Sequence, residues 1–105
     1  MRLFWGLLAT VLFIQQAEAK PARCFSSDDG YYACDFRGVE GNGSFIISAP
    51  NKPTITLMMD QPGVANGFEE FSGGRNVRLP GQYFRSRQDP ACWINNETNT
   101  KICAW

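Results

Sequence analysis

From Lys20 onwards the apolar residues of this chain fall in short runs rich in Ile, Val, Phe, Tyr and Thr, and the spacing of an amphipathic helix is hard to find. Glycine and proline interrupt these runs about every eight to twelve residues, the rhythm of an antiparallel all-β domain. The clearest strand is "TITLMMD", residues 54–60. Alternation puts Ile55, Leu57 and Met59 on one face and Thr54, Thr56 and Met58 on the other, so one face is core and the second half-exposed. "EGNGSF" carries Asn42-Gly43, the strongest short hairpin signal, joining a strand from Tyr31 to Glu40 with one from Ser44 to Ala49. "APNKP", residues 49–53, reads as a loop, because prolines cannot donate to a ladder. Pro62-Gly63, Gly73-Gly74 and Pro80-Gly81 mark further turns. A Pro-Gly pair prefers a type II turn, which splays strands, so 62–63 and 80–81 are read as corners and not as tight hairpins.

The count is about seven to nine short strands in sequence-neighbour order. Such a meander leaves two edges, and closure is the usual way to remove them. The expected fold is therefore a small antiparallel barrel, closed or nearly closed, with a sandwich as the second choice.

Residues 1–19, "MRLFWGLLATVLFIQQAEA", change the picture of where this domain works. A basic start at Arg2, an apolar run from Leu3 to Ile14 and an Ala17-Glu18-Ala19 end are the parts of a cleavable secretory signal. A membrane helix needs roughly 20 apolar residues, and this run is shorter. Cleavage after Ala19 leaves one small domain, residues 20–105, in the periplasm or outside the cell, with no stable membrane insertion. A domain of this size buries about 60 to 65 % of its unfolded surface, which makes covalent staples useful.

Cys24, Cys34, Cys92 and Cys103 all lie in that domain, and an even count in an oxidising compartment reads as two disulfides. Three pairings are possible. Centring a turn on Asp28-Asp29-Gly30 sets Cys24 opposite Cys34, and a loop at "NETN", 96–99, sets Cys92 opposite Cys103 and Trp93 opposite Ile102. Turn chemistry thus favours the two local pairs over the crossed ones. Trp105 is expected to help cover a barrel end.

Ten basic and ten acidic residues balance, so no overall field draws the protein to nucleic acid or an anionic membrane. The chain has no histidine, hence no ordinary general base and no common transition-metal ligand. With all four cysteines paired, no thiolate remains for nucleophilic or zinc chemistry. Asp28 and Asp29 are turn residues before calcium ligands, and Glu69 and Glu70 point to opposite faces of a strand. A hydrolase built on Asp35, Asp60, Glu69 or Asp89 is the remotest reading. The expectation is a protein without enzymatic activity or cofactor.

Arginines are unevenly spread. Arg75, Arg78, Arg85 and Arg87 lie close together in sequence, and a strand over 82–87 would put Tyr83, Arg85 and Arg87 on one face with Arg78 alongside. Arginine and tyrosine are favoured at binding hot spots, so these residues, with Ser72 and Arg75 of an adjoining "SGGR" loop, are the expected binding surface for a protein or glycan. The sequons at Asn42 and Asn96 fall at expected hairpin tips, where turn chemistry already accounts for both asparagines.

In overall style the chain resembles small exported proteins of α-proteobacteria. More specifically, Tyr32-Ala33-Cys34, the run of short strands and the late Cys103 resemble the inhibitors of c-type lysozyme, small periplasmic or lipid-anchored β-barrels. That resemblance implies inhibition of a lysozyme by a Ser-Gly-rich loop, here Ser72-Gly73-Gly74, and a bridge from Cys34 to Cys103. The aromatic residue expected after the loop is replaced by Arg75-Asn76-Val77.

Overall fold

The computed structural model describes residues 18–105. Most of the expected export signal, residues 1–19, lies outside the described residues. Nine strands follow: β1 Lys20–Ser26, β2 Gly30–Val39, β3 Ser44–Ser48, β4 Thr54–Gln61, β5 Val64–Phe71, β6 Arg75–Arg78, β7 Tyr83–Arg85, β8 Cys92–Asn95 and β9 Lys101–Ala104. Each pairs antiparallel with its neighbours, and β9 returns to β1 with Phe25 opposite Cys103. The result is a closed barrel of eight strands, with β6 as an extra one laid on β5. An interior of this strand number is just wide enough for side chains to fill. Ile47, Ile55, Leu57 and Ala65 are fully buried in it, with Phe45, Trp93, Tyr83 and Ile102 around them.

Both disulfides join local pairs, Cys24–Cys34 and Cys92–Cys103. The second lies in the expected register, with Cys92 opposite Cys103. In the first hairpin the register is shifted: Cys24 faces Tyr32, Cys34 faces Ala22, and the disulfide runs diagonally. The cause is local. Ser26 Oγ accepts from the Asp29 amide at 3.0 Å and donates to Asp29 Oδ2 at 3.1 Å, which moves the turn one residue towards the N-terminus. Cα atoms are 5.9 Å apart across the diagonal bridge and 4.0 Å across the direct one.

Three turns differ from expectation. Pro62-Gly63 closes a tight hairpin and not a corner, with Gln61 opposite Val64 and Gly63 at φ 80°. A bulge at Asp60 makes this possible, since the extra residue supplies the twist a type II turn lacks. Pro80-Gly81 makes no corner either. β6 and β7 run the same way along β5, Phe68 opposite Arg78 and Ala65 opposite Tyr83, so Leu79 to Gln82 interrupt what is otherwise one strand. Gly67 permits the break: a Cβ there would lie 2.6 Å from Tyr83 Cε1 and 3.1 Å from Leu79 Cδ1. Between β2 and β3 the loop is the four residues Glu40 to Gly43, with Val39 opposite Ser44. Asn42 sits inside it and its Oδ1 accepts from the Ser44 amide at 3.1 Å.

Up-and-down order sorts the loops to two ends. Lys20, Trp105 and the loops 40–43, 62–63 and 86–91 share one end, called the terminal end below; loops 27–29, 49–53, 72–74 and 96–100 share the other.

A candidate binding cup at the barrel mouth

Inward positions of β2, β3, β4 and β8 near the terminal end are Phe36, Phe45, Met59 and Trp93. Their side chains do not close the barrel. They wall a cup of about 570 Å³ whose rim is formed by Asn42, Gly43, Asp60 to Gly63, Arg85, Pro90 and Ala91. Phe36 stacks on Phe45 at 5.0 Å between ring centroids, and Phe45 meets Trp93 at 6.4 Å. Volume and lining suit a small-molecule site: mostly apolar, concave, with few polar groups.

Arg85 is the cationic group of this mouth. Its position opposite Trp93 in the β7–β8 ladder sets the guanidinium over the indole, 5.3 Å from the ring centroid. Nε donates to the Pro90 carbonyl at 2.8 Å, which fixes the fork while leaving its terminal nitrogens without a carboxylate partner. Among the described residues the ion pair within 4 Å is Lys52 with Asp29, at the other end. Asp60, on the same rim, accepts instead from Gln82 Nε2 at 3.2 Å. A fixed, unpaired guanidinium above an apolar cavity favours an anionic group on an apolar body.

The expected Arg/Tyr surface does not assemble. Tyr83 and Arg85 do share a face, but it is the inside of the barrel, and Tyr83 is 3 % exposed. β7 ends at Arg85, so Arg87 belongs to the following loop. Arg78 lies on the outer wall, where its Nη2 donates to Asn66 Oδ1 at 3.1 Å. Ser72 and Arg75 lie at the end away from the cup, Arg75 over the Phe71 ring at 5.5 Å. Of the six residues of the expected binding surface, Arg85 alone lines the cup. Phe36, Phe45, Met59 and Trp93 were legible only as inward-phase residues close to turns at one end, a signal that needs the registers to be known.

A smaller chamber of about 180 Å³ opens at the other end, lined by Ser26, Glu69, Tyr83 and Asn95 among others. Asn95 is fully buried and satisfied: Nδ2 donates to the Pro80 carbonyl at 2.7 Å, and Oδ1 accepts from the amides of Glu97 and Thr98 at 2.8 and 3.0 Å. Burial first, then the charges of Asp28 and Asp29, push the Glu69 carboxyl above its ordinary range. Burial also pushes the Tyr32 phenol up, helped by Asp29 and Glu69, and Tyr32 OH is buried without a hydrogen-bond partner.

The carboxylates considered for hydrolysis lie on separate elements. Asp35 is on β2, Asp60 at the β4 bulge, Glu69 on β5, and Asp89 in the β7–β8 loop. Asp89 is held below the ordinary range by the Ala91 amide and then by the Trp105 indole, which donates to Oδ2 at 3.0 Å. Among the described residues no cluster of three His, Cys, Asp or Glu side chains is placed to hold a metal. Trp105 does not cover the barrel end; it lies against Tyr31, in the outward phase of β2, 6.0 Å between ring centroids, and both are exposed. Asn96 Oδ1 accepts from the Gln82 amide at 2.9 Å, which ties its loop to the segment before β7, whereas Asn42 bonds within its own turn.

Comparison with protein-family models, with curated proteins and with solved structures returned no match to this chain. The Cys34–Cys103 bridge that the lysozyme-inhibitor resemblance implies is not formed.

Proposed function

We propose that this protein is an exported, non-catalytic binding module that takes a small amphipathic anion into the cup at the terminal end. The observation that carries this reading is Arg85: a guanidinium fixed over Trp93 at the rim of an apolar cavity, with no carboxylate within 4 Å among the described residues. The ligand's tail would displace water from Phe36, Phe45 and Met59, and its anionic head would take the free side of the fork.

Decanoate and decanol test it, since they share a tail and differ in charge. Decanoate should bind more tightly and alter Trp93 fluorescence. A charge-assisted hydrogen bond of about 1.5 to 3 kcal/mol corresponds to a tenfold or greater preference. In Arg85→Gln that preference should vanish, and Arg85→Lys should restore part of it. Equal binding of decanoate by wild type and Arg85→Gln, or no binding at all, contradicts the proposal.

Inhibition of a lysozyme-type cell-wall hydrolase is a second reading. It is favoured by the exposed β5–β6 tip, where Ser72 precedes Gly73 and Gly74 at φ 92° and 80°. Undiminished lysozyme activity in excess protein removes it.

A further inference from the structure

Closure leaves β6, outside the ring of eight strands, with a partner on one side only. β8 stops at Asn95 and turns away, whereas β6 continues along β5 towards the end that carries loop 72–74. β6 pairs with β5 alone, and all four of its residues are exposed. The direction of its backbone groups follows from one bond. The Leu79 amide donates to the Gly67 carbonyl at 2.8 Å, and the register of Phe68 opposite Arg78 and Glu70 opposite Asn76 is continuous with it. In an antiparallel ladder, hydrogen-bonded and non-hydrogen-bonded pairs alternate. Leu79 and Val77 therefore face β5, and Asn76 and Arg78 present their N–H and C=O groups to the open lane. No hydrogen bond within the described residues takes up these four groups.

We infer that β6 is a docking edge for an extended acidic peptide segment, added as a further strand in the lane that β8 vacates. Backbone pairing would come from Asn76 and Arg78, the mode by which open sheet edges capture peptides. Charge selects the occupant. Arg75 and Arg78 bracket the edge, and neither has a carboxylate within 4 Å among the described residues. A second copy of this chain pairing here would bring four arginines onto one short seam, so self-association is disfavoured. Arg75 and Arg78 are three residues apart and point to opposite faces of the sheet, so acidic side chains an odd number of residues apart on an incoming strand would meet both. This edge is remote from the cup and independent of what the cup binds.

The probe is a short, end-blocked strand-forming peptide of valine and threonine carrying two glutamates three residues apart, one on each face, with the same peptide carrying lysines in their place as its control, read by amide hydrogen exchange and by titration. The acidic peptide should slow exchange at Asn76 and Arg78 and leave loop 62–63 unchanged. Asn76→Pro removes an N–H that no strand of the barrel uses, so the fold should survive while binding falls at least tenfold. Arg75→Glu with Arg78→Glu should reverse the preference towards the lysine peptide, which keeps the test decisive if the proline variant fails to fold. Overturning results are absence of protection by the acidic peptide, equal binding of both peptides, or protection of Asn76 and Arg78 by dimerisation of the protein alone.

Discussion

Glu69 shows what a single residue costs when it faces the inside of so small a barrel. Burial and the neighbouring Asp28 and Asp29 oppose its ionised form, so its folded pKa stands above the unfolded value. Its contribution to stability is therefore fully present below the unfolded pKa and is lost as pH rises through the folded one. Glu69→Gln removes that loss. In urea unfolding from about pH 4 to pH 7, the variant should gain on wild type as pH rises, and parallel curves would refute the assignment. Asp89 works in the opposite sense: held down by the Ala91 amide and the Trp105 indole, it stabilises above its unfolded pKa and loses that contribution as pH falls through the folded value. At this scale the sequence singled out Arg85 through its chemistry, and the fold sets it on the rim of the cup. The sequence did not show that Arg85 and Tyr83 face inward. β7 is three residues long, too short for a period of two to be read, and only its pairing with Ala65 and Asn95 decides the matter.

Among the elements, hairpins with one simple loop were legible and those with a second device were not. Cys92 opposite Cys103 follows from the loop between them. The first hairpin shifts because Ser26 captures Asp29, a side-chain event that glycine placement does not reveal. Pro62-Gly63 closes tightly only because Asp60 bulges, and Pro80-Gly81 interrupts a strand only because Gly67, distant in sequence, leaves room for the Tyr83 ring. The two disulfides span separations of 10 and 11 residues, so the chain-entropy model assigns each about 2.7 kcal/mol. Replacing either pair by alanines should lower the unfolding free energy by a similar amount, measured by urea denaturation. A loss below about 1 kcal/mol for one pair would show that its loop is already constrained in the unfolded chain.

For the whole molecule, closure is the feature that organises the rest. The meander, the short strands and the absence of helical periodicity pointed to a barrel, and the β1–β9 pairing completes it. Once closed, the barrel has an inside with two ends, and its larger inward residues at the terminal end wall the cup without filling it. The same closure leaves β6 outside the ring with one unpaired edge, so the proposed ligand site and the proposed peptide edge occupy different parts of one small domain. The most direct test of the central claim is residue-resolved NMR of the isotope-labelled protein titrated with decanoate. The account predicts saturable changes at the Trp93 indole, at Arg85 and at the rim amides of Gly43 and Gly63, with Ser72 to Arg78 and the Tyr31–Trp105 wall unmoved. Changes concentrated on either of those surfaces, or none anywhere, would contradict it.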